Sequence, residues 1–135
     1  MPLALVTGIG GQDGSYLAEL LLERGYEVVG IVRDADHAYE NLVAIRGRIE
    51  LLECDLLDEG ALVSLLRTHA PSEVYNLASP SFVPLSWQQP VVTAEFAAVG
   101  VTALLEAIRT VDSTIRVYQA SSSEIFGEPE EVPQT

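Results

Sequence analysis

Leu3-Ala4-Leu5-Val6-Thr7-Gly8-Ile9-Gly10-Gly11-Gln12-Asp13-Gly14-Ser15-Tyr16-Leu17-Ala18-Glu19-Leu20-Leu21 is the stretch whose reading decides the fold. Its first five residues form a short apolar run that glycine then breaks, as at the end of a buried strand. From Ser15 to Arg24, Leu17, Leu20 and Leu21 share one helical face, and Gly25 follows where helices favour glycine, just past the end. Thr7 to Gly14 is therefore a turn from strand to helix, with Gly8, Gly11 and Gly14 in T-G-x-x-G-x-x-G spacing.

The same alternation continues along the chain. Val28 to Val32 reads as a second strand, and 34–46 reads equally as a loop or a short helix. Arg48 to Glu53 reads as a third strand. Asp58 can cap a helix running to about His69, which Pro71 terminates. Val74 to Leu77 is a fourth strand. Pro80 and Pro84 keep the next segment irregular until a helix from about Pro90 to Val111, with proline suited to its first turn. Ile115 to Ala120 is a fifth strand, followed by a polar tail. Strands that are apolar rather than alternating, separated by helices, predict an α/β fold with a parallel sheet covered on both faces. The expected form is a Rossmann-type, doubly wound, five-stranded sheet in the order 3-2-1-4-5, one domain over residues 1–135. The helix after Pro90 is apolar nearly all round, which fits either deep burial or a subunit interface.

Composition narrows the function. A net charge of −13 and a pI near 4.3 exclude a nucleic-acid partner, which needs a basic footprint. Cys54 is the sole cysteine and lies in an apolar run, so no internal disulfide forms and a buried structural thiol is expected. No signal-peptide pattern opens the chain, and no apolar run is expected to approach the ~20 residues of a spanning helix. The expected setting is cytoplasmic, without a membrane. His37 and His69 have no ligand partners at metal-binding spacing, so no metal site is expected.

The glycine loop is suited to a pyrophosphate. Glycine lets the backbone turn sharply and lets an anion approach main-chain N–H groups, and the following helix presents a partial positive charge. At the end of the second strand, where an NAD enzyme carries a carboxylate for the ribose hydroxyls, the chain has Val32 followed by Arg33. A guanidinium there can pair with a 2′-phosphate, which favours NADP, although Asp34 sets a negative charge beside it and an exposed arginine without a role is the competing reading. Asp55-Leu56 follows the third strand, where an aspartate can accept from an adenine amino group. Asn76-Leu77-Ala78-Ser79 sets small residues at the end of the fourth. All lie at carboxyl ends of strands, where open α/β sheets bind ligands.

In order and spacing, Thr7 to Gly14, Asn76 to Ser79 and Ser121-Ser122-Ser123-Glu124-Ile125-Phe126-Gly127 resemble the extended short-chain dehydrogenases. More narrowly, Gly8 to Glu23, Ser81-Phe82-Val83-Pro84-Leu85-Ser86-Trp87 and Tyr118 to Glu124 resemble the GDP-mannose 4,6-dehydratases. The resemblance implies NADP as cofactor, a GDP-sugar substrate and a homo-oligomer paired partly through the long helix. In that family hydride leaves carbon 4 of the hexose, a base removes the proton on carbon 5, water departs from carbon 6, and the hydride returns there. Carried over by motif, Ser122 holds the sugar's 4-oxygen and Glu124 is the base. Ile9, Gln12, Asp13, Ser81 and Val92 join the glycines, Arg33, Asp55, Leu56, Leu77, Ala78 and Ser79 as cofactor-binding positions.

Departures from the family pattern are visible as well. Arg33-Asp34-Ala35-Asp36 stands where members carry a second arginine and serines, and Val92 stands where many carry a tyrosine. Thr135 precedes the expected Tyr-x-x-x-Lys pair, so the expectation is a truncated catalytic domain that binds cofactor without turnover. Trp87 and Phe82 fit either the nicotinamide end of the site or loop packing. A reductase or epimerase of the same fold, and a non-catalytic dinucleotide-binding module, remain open on the residues.

Overall fold

The computed structural model describes residues 1–79 and 83–134. Five parallel strands form one sheet: β1 (Leu3–Thr7), β2 (Glu27–Val32), β3 (Glu50–Glu53), β4 (Glu73–Asn76) and β5 (Arg116–Gln119). Their order is β3-β2-β1-β4-β5, the doubly wound Rossmann-type arrangement. The helices are α1 (Gln12–Glu23), α2 (Glu59–His69), α3 (Val83–Gln88) and α4 (Pro90–Val111).

Side-chain alternation along β1 splits the core in two. Leu5, with Ile31 and Val74, packs against Leu62 and Leu66 of α2 and Leu104 and Ile108 of α4. Ala4 and Val6, with Val28 and Val32, face Ala18 and Leu21 of α1 on the other side. Each fully buried leucine contributes about 1.5–3 kcal/mol relative to exposure, so the two helical layers together hold the sheet. Register brings the strand ends level: Thr7 pairs with Ile31 and Asn76, and Asn76 pairs with Gln119.

Local signals explain the boundaries. Asp58 caps α2 by accepting from the Ala61 N–H at 3.0 Å. After α1, Gly25 N–H donates to the Leu22 carbonyl and Tyr26 N–H to that of Leu21, the pair of bonds that closes a helix with glycine at C′. At the end of α2 the chain turns at Ala70 with φ 45°, just before Pro71.

Several expectations change. The third strand begins at Glu50 rather than Arg48, because Arg46–Arg48 form a 3₁₀ turn. The stretch read as loop or short helix is irregular apart from a first 3₁₀ turn at Glu40–Leu42, and it buries Leu42 and Ile45 under α1. The segment expected to be irregular carries α3, with Pro84 in its first turn, where a missing N–H breaks no helical bond. The expectation that no apolar run approaches a spanning length is overturned: α4 is 22 residues long, and 18 consecutive residues of it reach a mean hydropathy of 1.8. Within this chain α4 is buried along one side. Ala103, Leu104, Ala107 and Ile108 pack on the core, while Val91, Val99 and Leu105 face outward. One face of α4 thus belongs to the core, and its opposite apolar face is open.

Candidate dinucleotide site

A cavity of about 1020 Å³ opens at the carboxyl ends of β1 to β4. Its floor is the glycine turn. Gly8 has φ +68°, and a Cβ there would lie 2.8 Å from the Ala78 nitrogen. At Gly14 a Cβ would run into the Gly8 carbonyl oxygen. Both positions therefore demand glycine, one for backbone conformation and both for close approach. The Gly11 N–H donates to the Gly8 carbonyl at 3.1 Å, and Gly11 then leads into α1 in extended conformation. The first N–H groups of α1 follow directly, with no intrahelical acceptor by geometry. A turn folded this tightly, lining the cavity and ending at a helix N-terminus, fits a pyrophosphate.

Thr7 locks this turn to the neighbouring strand. Its buried hydroxyl donates to Asn76 Oδ1 at 2.5 Å and accepts from the N–H groups of Leu77 and Ala78 at 3.2 and 3.1 Å. One donor and two lone pairs are thereby all used. Asn76 Nδ2 continues the chain by donating to Gln119 Oε1 at 2.8 Å. The ends of β1, β4 and β5 are tied by side chains as well as by the ladder.

Of the residues singled out in the sequence, Gly8, Gly11, Arg33, Asp55, Leu56, Ala78 and Ser79 meet around this one cavity. Ile9 is buried beneath it in the core with α1, and Gly14 is buried in the first turn of that helix. Gln12 and Asp13 are exposed on the same turn, Leu77 packs against the α1 side of the core, and Val92 is 39% exposed on α4. Ile9, Gln12, Asp13, Gly14, Leu77 and Val92 do not line the cavity. Ser81 and Phe82 lie outside the described residues. Trp87 is 84% exposed and away from the cavity wall. Ser122 and Glu124 are exposed on the turn after β5, where the Ser122 hydroxyl accepts from the Glu124 N–H at 3.1 Å. That is a local cap on the 3₁₀ turn Ser123–Phe126, and it keeps the two residues together at the strand end.

Sequence reasoning missed several walls. Tyr39 covers the glycine turn so closely that a Cβ on Gly10 would lie 2.5 Å from its ring, and its hydroxyl donates to the Asp34 carbonyl at 2.8 Å. Asn41 Nδ2 donates to the Gly10 carbonyl at 3.1 Å. On the opposite side stand Glu95 and Phe96 of α4, with the Arg33 guanidinium 4.5 Å from the Phe96 ring centroid. Glu53 lines the cavity at the end of β3, and its Oε2 accepts from the Ala35 N–H at 3.3 Å. Cys54 lies beside it, 8% exposed; burial first, then the charges of Asp58 and Asp55, push its thiol pKa up. It is a neutral wall residue rather than a nucleophile. Among the described residues, no cluster of His, Cys, Asp and Glu could hold a metal ion.

Residues 5–135 match the family model described as GDP-mannose 4,6 dehydratase. The chain belongs to the GDP-mannose 4,6-dehydratase family. It is 45% identical over 143 residues to GDP-mannose 4,6 dehydratase of Cricetulus griseus, with 98% of this chain and 38% of that protein aligned. Against a GDP-mannose 4,6-dehydratase of Vibrio cholerae the identity is 46% over 142 residues, covering 98% and 38%. The chain thus spans 38% of the length of these two relatives. Among solved structures, UDP-glucose 4-epimerase from Brucella ovis in complex with NAD aligns with a TM-score of 0.86 and 28% identity, over 98% of this chain and 39% of that one. The 3-2-1-4-5 sheet of this GDP-mannose 4,6-dehydratase relative thus shares its fold with that epimerase.

Proposed function

We propose that residues 1–135 are the incomplete cofactor-binding domain of a nucleotide-sugar dehydratase that uses NADP and converts GDP-mannose to GDP-4-keto-6-deoxymannose. The observation that carries this reading is the tight glycine turn, with Gly8 against Ala78 and Gly14 against Gly8, at the floor of a cavity large enough for a dinucleotide. Family membership supplies the substrate class. When bound, the nicotinamide cofactor supplies the acceptor and later the donor of one hydride.

The chain's own residues do the rest. Backbone N–H groups of the glycine turn and of α1 hold the pyrophosphate, and Asp55 accepts from the adenine amino group. Arg33 pairs with the 2′-phosphate. Ser122 donates to, or accepts from, the sugar's 4-oxygen as it alternates between alcohol and ketone. Glu124 removes the proton on carbon 5, and the hydroxyl on carbon 6 leaves as water. The open apolar face of α4 serves pairing with a second copy. A lone, buried, neutral thiol suits a reducing, cytoplasmic setting.

One observation favours NAD as a second reading. Glu53 sets a carboxylate in the cavity at the end of β3, paired in register with Val32, close to where a 2′-phosphate would lie. Calorimetric titration of this chain with NADP and NAD separates the two readings. NADP is expected to bind more tightly, and Arg33→Ala is expected to weaken it by about 1.5–3 kcal/mol, less where the guanidinium stays solvated. Equal affinities, or an Arg33→Ala protein unchanged toward NADP, would remove Arg33 from the site.

A further inference from the structure

Arg33 and Phe96 meet across the cavity from opposite ends of the chain's fold. Arg33 follows β2, and Phe96 sits on α4 within the segment Glu95–Gly100, where the helix widens to π geometry. Single π turns inside α-helices recur at functional sites because they re-aim the side chains they carry. Here the ring carried by that turn lies under the guanidinium, with Cζ 4.5 Å from the centroid, and both side chains form cavity wall.

Two of the neighbouring carboxylates, Asp34 and Glu53, accept from backbone N–H groups, and Glu95 beside Phe96 lines the same cavity. Asp34 Oδ1 accepts from the Asp36 N–H at 2.9 Å, and Glu53 Oε2 accepts from the Ala35 N–H. Among the described residues Arg33 makes no ion pair. The guanidinium is thus held over the ring, and among the described residues its N–H donors are not taken up by an ion pair. A planar fork held this way suits bidentate recognition of a phosphate. An unsupported arginine would lose its rotamer freedom only on binding. One already stacked has lost part of it on folding, and preorganisation of this kind appears as affinity.

We propose that Phe96 is a positioning residue for cofactor choice: its ring fixes the Arg33 guanidinium at the cavity wall so that the N–H edge receives the 2′-phosphate of NADP. This deepens the assignment of Arg33 made above and rests on it. Phe96 does not itself touch the phosphate, so its influence falls on NADP and not on NAD.

The test is calorimetric titration of this chain with NADP and with NAD, for the unaltered protein and for Phe96→Ala, Phe96→Leu, Phe96→Tyr, Arg33→Ala and the Arg33→Ala/Phe96→Ala double variant. Phe96→Ala and Phe96→Leu are expected to weaken NADP binding about 2–5-fold and to leave NAD unchanged. Phe96→Leu retains apolar bulk at the cavity wall, so it separates loss of the ring face from loss of folding. Phe96→Tyr is expected to bind NADP like the parent. In the Arg33→Ala background, Phe96→Ala is expected to have no further effect on NADP. Equal weakening of both cofactors, or an additive loss in the double variant, would show that Phe96 only packs, and would overturn the proposal. The two failures are distinct. Loss of NADP affinity in Arg33→Ala with none in either Phe96→Ala or Phe96→Leu rejects the role of Phe96 alone, whereas an unaffected Arg33→Ala protein rejects the Arg33 assignment and this inference with it.

Discussion

At the scale of single residues, Thr7 does more than its place in a glycine motif suggests. Its hydroxyl joins the end of β1 to the Asn76 side chain and to the backbone N–H groups of Leu77 and Ala78. Thr7→Val keeps the shape and removes the hydroxyl. Asn76 Oδ1 then loses a donor and the Ala78 N–H an acceptor, next to the cavity. Leaving buried polar groups unsatisfied costs about 1–3 kcal/mol, so urea unfolding is expected to show a loss of that size, accompanied by weaker cofactor binding. A change below about 0.5 kcal/mol, the range of an ordinary surface substitution, would mean the groups find other partners. The glycines were legible from sequence because their constraint is local, a turn between a strand and a helix. The partnership of Thr7 with Asn76, and that of Arg33 with Phe96, was not legible, since each joins segments brought together only by the sheet order.

At the scale of elements, apolar runs gave away all five strands, and capping residues located α1 and α2. What escaped was the stretch from Asp34 to Ile49. Leu42, Ile45 and Ile49 are buried there at i, i+3 and i+7, a spacing that an α-helix would also give, but short 3₁₀ turns and irregular backbone carry them instead. A second device that escaped joins three elements at the opposite end of the sheet. Glu73 at the start of β4 is 7% exposed and accepts from Tyr26 and Tyr75 hydroxyls at 3.3 and 2.7 Å, while Arg116 of β5 pairs with it. Burial first, then the hydrogen bond to Glu73, pushes the Tyr75 pKa up to about 12 from its ordinary 10. A raised pKa means that the fold favours the neutral phenol. Its contribution to stability is complete below about pH 10 and is lost as the pH rises from there through about 12. The chain has no lysine, so amine deprotonation does not cloud that range. Thermal unfolding followed from pH 9 to pH 12 is expected to show a fall in stability that Tyr75→Phe reduces. Identical slopes for the two proteins would show that Tyr75 ionises as freely in the fold as in the unfolded chain.

At the scale of the whole molecule, the cofactor cavity and the residues assigned to the sugar lie at different levels of completion. The cavity is lined by residues from the ends of β1 to β3, the segment after β4, α2 and α4, whereas Ser122 and Glu124 are exposed beyond β5, itself an edge strand exposed along its length. The relatives are more than twice as long, so the decisive test of Glu124 belongs in a longer protein in which this chain continues as theirs do. If Glu124 removes the proton on carbon 5, Glu124→Gln preserves side-chain shape and abolishes the base. Oxidation at carbon 4 does not need that base; it depends on Ser122 and on the tyrosine that the family resemblance implies. The variant is therefore expected to oxidise its substrate and then stall, with reduced cofactor accumulating by absorbance and little 6-deoxy product. Ser122→Ala is expected to behave in the opposite way, slowing the oxidation so that little reduced cofactor appears. Positioned acid–base groups contribute about 10²–10⁴-fold, so product formation by Glu124→Gln should fall within that span. Formation of product at the parent rate would make Glu124 a bystander. Another group would then have to remove the proton on carbon 5, and the dehydratase reading would lose Glu124 as its base.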